Sequence, residues 1–283
     1  MILIAESGAS KTDWSYILKD KTIHNFTSAG MHPGTTGSLQ LKKTLNKEVI
    51  PKLPGTPEQI FFYGAGCRGE QNQKKIKTLF NELFPETKTK IDTDLMAAGI
   101  AAFKNSSGLI CILGTGSNTG FYTKNKIIQK SPSLGYILGD EGSGAHMGKL
   151  LMERYLRNKL PKELNQKLLQ SIGLDKDLVL NEIYSREQSN VFLASLTPFI
   201  RKHQEHAAIE GIIHTSFDQF IEKQLNNYTP QEKSYIKASG SIAYYFRNIL
   251  VDRLKNHGLM LSGVIKKPIE QLTEYHRIEK INF

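Results

Sequence analysis

A chain of 283 residues, 39% of them hydrophobic and its charges well mixed, can bury more than one core, so about two domains are expected and a disordered or fibrous protein is excluded. The formal charge of +10 would suit an anionic ligand, but the lysines spread along amphipathic helices (Lys42, Lys43, Lys47; Lys74, Lys75, Lys77; Lys159, Lys162, Lys167) as a solvated face does, and no nucleic-acid motif accompanies them. No apolar run reaches the ~18–20 residues that span a bilayer, no secretory leader is visible, and Cys67 and Cys111 beside strand-like runs read as reduced, buried thiols, so a cytoplasmic protein without membrane or nucleic-acid partners is expected.

Residues 2–7 and 14–18 read as strands around the small-residue turn of ILIAESGASKTD, and 22–27 as a third, antiparallel strand. Helical spacing over 39–53 ends at Pro51 and Pro54. A buried strand follows at 59–64 (QIFFYG), then an amphipathic helix at 71–84, a strand at 89–94 and an Ala-rich helix at 95–103. The rhythm restarts with a strand at 108–113, strand-like 120–122 and 127–129 around Lys124-Asn125, and an almost wholly helical stretch from 143 to 228. A strand at 234–238 ends in Ser239-Gly240-Ser241 and leads into a helix at 243–257; a last strand at 259–264 and a helix at 268–277, with Pro at its first turn, close the chain. Three strands followed by alternating strands and helices describe a mixed α/β sheet with crossovers. The strand–turn–strand opening occurs twice, at 2–18 and 109–122, as an internal duplication would place it. No Gly/Ser-rich linker divides the halves, so a shared hinge and cleft are expected.

The chemistry concentrates in the two turns and the acids between them. Gly8, Ala9 and Ser10 lead into Lys11 and Thr12, a tight turn whose N–H groups can converge on phosphate, with hydroxyls from Ser10 and Thr12 to assist. It lacks the Walker spacing, and alone it reads equally well as a ligand-free hairpin. Gly114-Thr115-Gly116-Ser117, after the buried strand LICIL, is the more specific loop; together the pair favours a nucleotide tail. Glu6 at the strand end can support Mg²⁺ through water. Asp94 reads alone as a helix cap; between two phosphate loops it becomes the candidate general base, with Asp92 as its competitor. Asp140 and Glu141 open a helix after an apolar lead-in and read either as dipole-favouring acids or as a cleft lining. Gly240 and Ser241 sit where a base or ribose can approach closely. His203, Glu205 and His206 lack metal-ligand spacing and read as a solvated helix face.

The segments AESGASKTDW, FYGAGC, DTDLMAAGIAAF, ICILGTGSNTGFY, LGYILGDEGSGAHMG, ASGSIAYYF and LSGVIKKPIEQLTEYH occur in order over nearly the whole chain. As a set they resemble the N-acetylglucosamine kinase branch of the BadF/BadG/BcrA/BcrD-type ATPases, within the actin, hexokinase and heat-shock chaperone fold group. GTGSN followed by GDEGS is the most specific part. The resemblance implies two ribonuclease H-like lobes, residues 1–110 with the closing helix 267–283 and residues 111–266 with a helical insertion, binding ATP and sugar in an interlobe cleft. It implies Asp94 as base, Ser10 at the first phosphate loop, Thr115 near both ATP and sugar, Asp140 as a sugar-binding acid and Ser131 as a sugar contact upstream of it. Two positions depart from the family: Glu6 stands where most members have Asp, and His32 where Asn usually contacts a sugar hydroxyl, so a ring titrating between about pH 5.5 and 7.5 would tune sugar binding.

The expected activity is therefore ATP- and Mg²⁺-dependent phosphorylation of N-acetylglucosamine, or a related amino sugar, at the C6 hydroxyl. The alternatives are an ATPase that activates a radical dehydratase, which would need cysteines beside the nucleotide loops, and a non-catalytic sugar or nucleotide sensor. The oligomeric state is left open, a homodimer included.

Overall fold

The computed structural model describes residues 1–173, 175–185 and 189–278. The helical expectation at 174 and 186–188, and the end of the closing segment at 279–283, lie outside the described residues. The chain divides into two compact units, the first comprising residues 1–107, 122–128 and the chain from Lys267 on, the second residues 108–121 and 129–266.

The first unit opens with β1 (Ile2–Ser7), β2 (Lys11–Ile17) and β3 (Ile23–Ala29), followed by α1 (Ser38–Thr44), β4 (Gln59–Gly64), α2 (Glu70–Leu83), β5 (Lys88–Thr93) and α3 (Asp94–Phe103). Its sheet runs β3-β2-β1-β4-β5; the first three strands are antiparallel, and β4 and β5 join parallel to β1. Ile76, Leu79 and Phe80 recur at helical spacing on α2 and bury against Leu3, Ala5, Trp14, Tyr16, Ile60 and Phe62 on one face of the sheet. Small residues along α3 permit close packing: a Cβ on Gly99 would lie 2.5 Å from the Tyr122 ring. The helix expected over 39–53 is α1 alone, succeeded by a π turn at Leu45–Val49 and a 3-10 turn at Ile50–Lys52. Pro51 has no N–H to donate and its ring crowds the preceding turn, so regular i→i−4 bonding gives way there.

The second unit contains β6 (Gly108–Leu113), β7 (Ser117–Thr123), β8 (Lys126–Ile128), α4 (Gly135–Leu138), α5 (Gly144–Leu156), α6 (Lys162–Ile172), α7 (Lys176–Ser185), α8 (Ser189–Ala194), α9 (Thr197–Lys202), α10 (Ala207–Phe220), β9 (Ile236–Ser239), α11 (Ser241–Tyr245), α12 (Arg247–Asn256) and β10 (Leu261–Ile265), although β7 ends and β8 lies in residues grouped with the first unit. The last helix, α13 (Pro268–Ile278), returns to the first unit and packs against α3, β1 and β2. The second sheet runs β10-β9-β6-β7-β8. Read from its other edge this is the order of the first sheet, with β6 in the place of β1, as the internal duplication requires. The helix expected over 243–257 is two helices, α11 and α12, broken at Phe246 (φ −109°, ψ 24°), whose side chain is buried in the core.

Candidate active site

The first loop is shorter than the sequence suggests. Gly8 N–H donates to Lys11 O at 2.9 Å, so only residues 8–10 form the turn, and Lys11 and Thr12 already belong to β2. Pairing Ser7 with Thr12 places both side chains toward the α2 face. There the two hydroxyl oxygens lie 2.8 Å apart, Thr12 Oγ1 donates to Ala29 O at 3.1 Å, and Met31 N–H donates to Ser7 Oγ at 3.1 Å. The Thr12 hydroxyl is thus buried and used internally, contrary to the expectation that it assists a phosphate; its period-2 alternation carries it away from the loop. Ser10 is exposed at the tip, and Lys11 is exposed beside it. Gly30 closes on this loop from the end of β3: a Cβ there would stand 2.3 Å from Ala9 O.

On the opposite face, register aligns Glu6 with Asp13 on β2 and with Tyr63 on β4, and Tyr63 with Asp92 on β5. Burial pushes the Glu6 carboxyl up to about 7, and repulsion from Asp13 and then Asp94 adds to it, while Lys11 pulls it back. Lys11 Nζ lies 2.9 Å from Asp13 Oδ2. A cation at this strand end would relieve the crowding. Among the described residues, however, no group of three His, Cys, Asp or Glu side chains converges to hold a metal ion. The donor set therefore fits Mg²⁺ that brings most of its ligands with it, as nucleotide phosphates and water do.

Asp94 is the first residue of α3, and the cap is Thr93: its Oγ1 accepts from Met96 N–H at 3.1 Å, while Asp94 Oδ1 accepts from Leu95 N–H at 2.9 Å. The cap that Asp94 would supply if read alone is thus supplied by Thr93; a Thr directly before an acid and an apolar helix is a recognisable cap signal. Asp92 Oδ1 accepts from Thr93 N–H at 2.7 Å, and burial raises its carboxyl above the usual range.

His32 follows the Gly30 buttress. Its ring lies on Gly66 (φ +79°), where a Cβ would approach Cε1 to 2.5 Å, and its buried Nδ1 has no hydrogen-bond partner. Lys75 Nζ holds the same segment by donating to the carbonyls of Pro33 and Thr36, each at 2.8 Å. Burial lowers the His32 pKa, its own backbone hydrogen bond opposes this, and Lys75 lowers it further. The titration expected across pH 5.5–7.5 therefore moves toward acid.

In the second unit the loop after β6 repeats the design. Gly114 N–H donates to Gly116 O at 3.0 Å, closing the turn, and β7 begins at Ser117. The first amides of α5 are spent on this loop: Gly144 N–H donates to Gly114 O at 2.8 Å and Ala145 N–H to Thr115 O at 3.1 Å. The Ser117 hydroxyl is buried without a partner. Asp140 (φ +56°) lies beside the loop, its Oδ1 accepting from Ser117 N–H at 3.3 Å, with a Gly116 Cβ position only 2.9 Å from Oδ2. Burial pushes Asp140 up to about 6; the Ser117 N–H opposes, Glu141 adds, and Lys149 subtracts. Glu141 differs: burial would raise it, but its own backbone N–H, Lys223 Nζ at 3.1 Å and Gln224 Nε2 at 3.4 Å win, and it stays below the usual carboxylate range.

Gly240 (φ +105°) stands against the second loop as Gly30 stands against the first, since a Cβ there would meet Leu113 O at 2.4 Å. The close approach that the glycine permits is therefore to the loop's own backbone; Ser241, next to it, is exposed. Ser131 is buried, donates to Gln224 O at 2.5 Å and accepts from Asn227 Nδ2 at 3.0 Å, which leaves its hydroxyl little capacity for a ligand. His206 is a helix cap, its Nδ1 accepting from Ala208 N–H at 3.1 Å. Cys67 and Cys111 are buried, and burial drives both thiols up to about 12, with Asp94 and Asp92 also raising Cys67.

Two α/β units of matching strand order, each presenting a hairpin loop backed by a glycine, make up the actin-like fold of the sugar kinases. Among solved structures, a protein from Porphyromonas gingivalis provisionally designated an N-acetylglucosamine kinase matches 99% of this chain over 100% of its own, with 31% identity and a TM-score of 0.93. A second so designated, from Chromobacterium violaceum, matches with 16% identity over 97% of this chain and 98% of its own (TM-score 0.75). A ROK-family glucokinase from Streptomyces griseus, solved with glucose and AMPPNP, shares 11% identity over 98% and 99% (TM-score 0.55); these last two show the fold alone. No protein-family model and no curated protein matches the chain. The chain belongs to the family of the Porphyromonas gingivalis protein, that of the provisionally designated N-acetylglucosamine kinases.

Proposed function

We propose that the protein is an ATP-dependent sugar kinase of the N-acetylglucosamine kinase branch of the BadF/BadG/BcrA/BcrD-type ATPases, transferring the γ-phosphoryl group to the C6 hydroxyl of N-acetylglucosamine or a close amino sugar. The observation that carries the reading is Asp94: a carboxylate at the first residue of a helix whose cap is supplied by its neighbour, close enough to Glu6 to raise its pKa. The relationship to the Porphyromonas gingivalis protein supports the substrate class.

In this reading Asp94 accepts the C6 hydroxyl proton as the oxygen attacks phosphorus. N–H groups of Ala9 and Ser10 bond phosphate oxygens, as do those of Thr115 and Gly116, with the hydroxyls of Ser10 and Thr115 adding further donors; Gly8, Lys11, Gly114 and Ser117 shape the two turns, Gly8 and Gly114 by closing them. Gly240 and Ser241 border the nucleotide. Glu6, with Asp13 beside it, would hold Mg²⁺, which when bound would offset charge on the transferring phosphoryl oxygens. Asp140 and Thr115 receive sugar hydroxyls, the neutral His32 ring accepts or donates one bond by tautomer, and Ser131 acts by fixing the segment ahead of Asp140. The thiols of Cys67 and Cys111, buried and protonated, do not suit a cluster-bearing activator.

The test is ADP release from ATP and Mg²⁺ with N-acetylglucosamine, N-acetylmannosamine, N-acetylgalactosamine, glucosamine and glucose, with NMR locating the phosphate on the product. Asp94→Asn should lower kcat by about 10²–10⁴-fold while leaving the calorimetric Kd for ATP within about twofold. A panel in which no sugar stimulates turnover, or a fully active Asp94→Asn variant, overturns the reading.

A further inference from the structure

We propose that Thr93 is a positioning residue for the transfer step: by capping α3 itself, it keeps the Asp94 carboxylate turned toward the substrate hydroxyl. The inference rests on the reading of Asp94 as the base. The first turn of any α-helix carries N–H groups with no intrahelical acceptor, and a carboxylate is among the groups most attracted to them, by hydrogen bonding and by the helix dipole. An Asp at the first helical residue is therefore under constant competition between capping and any other task.

In α3 the competition is resolved by the residue before it. Thr93 is extended (φ −84°, ψ 158°), and its Oγ1 takes the Met96 N–H at 3.1 Å. Asp94 Oδ1 takes the adjacent Leu95 N–H at 2.9 Å. The threonine is itself held on both sides: it pairs in register with Gly64 on β4, and its N–H is bonded by Asp92 Oδ1 at 2.7 Å. Without the Thr93 oxygen, Met96 N–H loses its acceptor two residues from a carboxylate that can supply another. An Asp94 side chain drawn onto two helix amides is rotated away from the hydroxyl, and it is a weaker base because both amides stabilise its charge. Misplacement of a reacting group by about 1 Å can cost about 10²-fold in rate.

Steady-state kinetics with ATP, Mg²⁺ and N-acetylglucosamine, together with melting temperatures, should be measured for Thr93→Val, Thr93→Gly, Thr93→Ser, Thr93→Asn and Asp94→Asn. Glycine keeps a serviceable cap backbone at small cost to the helix while removing the oxygen, so it tests the same loss if the valine variant does not fold. Both oxygen-free variants should lose about 10–100-fold in kcat with the KM for ATP within about twofold. Thr93→Ser and Thr93→Asn, which restore a capping oxygen, should stay within about threefold of the parent. Oxygen-free variants with lower melting temperatures but parental kcat would reduce Thr93 to a structural cap and overturn the proposal, as would Thr93→Asn losing as much as Thr93→Val. Should Asp94→Asn prove active, the reading of the base fails first, and the proposal with it.

Discussion

Lowering the pH should unfasten the last helix through one side chain, His276. On α13 it is 3% exposed, its Nε2 lies 3.0 Å from the Tyr63 hydroxyl, and its ring centroid is 4.0 Å from that of Phe61. Among the described residues its buried Nδ1 has no hydrogen-bond partner. Burial, with a further push from Lys90, brings its pKa down from 6.5 to about 3. The unfolded chain then binds one more proton than the folded one between those values, so this stability is present above pH 6.5 and is lost as pH falls toward 3. At about 1.4 kcal/mol per pH unit, His276 alone costs about 2 kcal/mol by pH 5 and about 3 kcal/mol by pH 4. Trp14, the sole tryptophan, is buried in the same unit and reports its unfolding by fluorescence. Urea curves for the parent and for His276→Gln, which can still meet Tyr63 but does not titrate, isolate the contribution. The gap between the two proteins should narrow by about 2 kcal/mol from pH 7 to pH 5. Parallel stability profiles over that range would refute the assignment of a buried, neutral imidazole.

Glu6→Gln removes the proposed Mg²⁺ ligand without changing shape; the Mg²⁺ concentration for half-maximal turnover should rise about tenfold or more, and an unchanged Mg²⁺ titration would exclude Glu6. Gly240→Ala places a methyl group 2.4 Å from Leu113 O at a backbone φ of +105°, so the second loop must shift. Its KM for ATP should rise about tenfold or more while the Trp14 unfolding curve stays parental; parental KM would show that the loop tolerates the displacement.

Both hairpin loops and the sheet-forming strands are legible from local pattern, because small residues after an apolar run and period-2 alternation are written in adjacent positions. Register is not. That Lys11 and Thr12 are strand residues, and that Thr12 points into the α2 face, depends on where β1 and β2 pair, and a one-residue shift would reverse it. Gly30 and Gly240 carry no local mark of the loops they support, since each meets a segment distant in sequence. Thr93 is legible as a cap, being a threonine before an acid at a helix start, but the acid next to it carries the same signal. The helix expected over 243–257 failed because Phe246 is drawn into the core, a tertiary demand that outweighs helical propensity.

The two buttressing glycines also set an order of events during synthesis. The first loop is complete once Gly30 has left the ribosome, directly after β3, so that hairpin can assume its mature geometry while most of the chain is unmade. The second loop must wait for Gly240, which emerges only after helices α5 to α10. A nascent chain would therefore carry one finished hairpin turn and one unsupported turn for much of its elongation, and the first sheet would lack α13 until the second unit had been made. Ligand can assist the second turn only once Gly240 has emerged, whereas the first turn is ready from Gly30 onward.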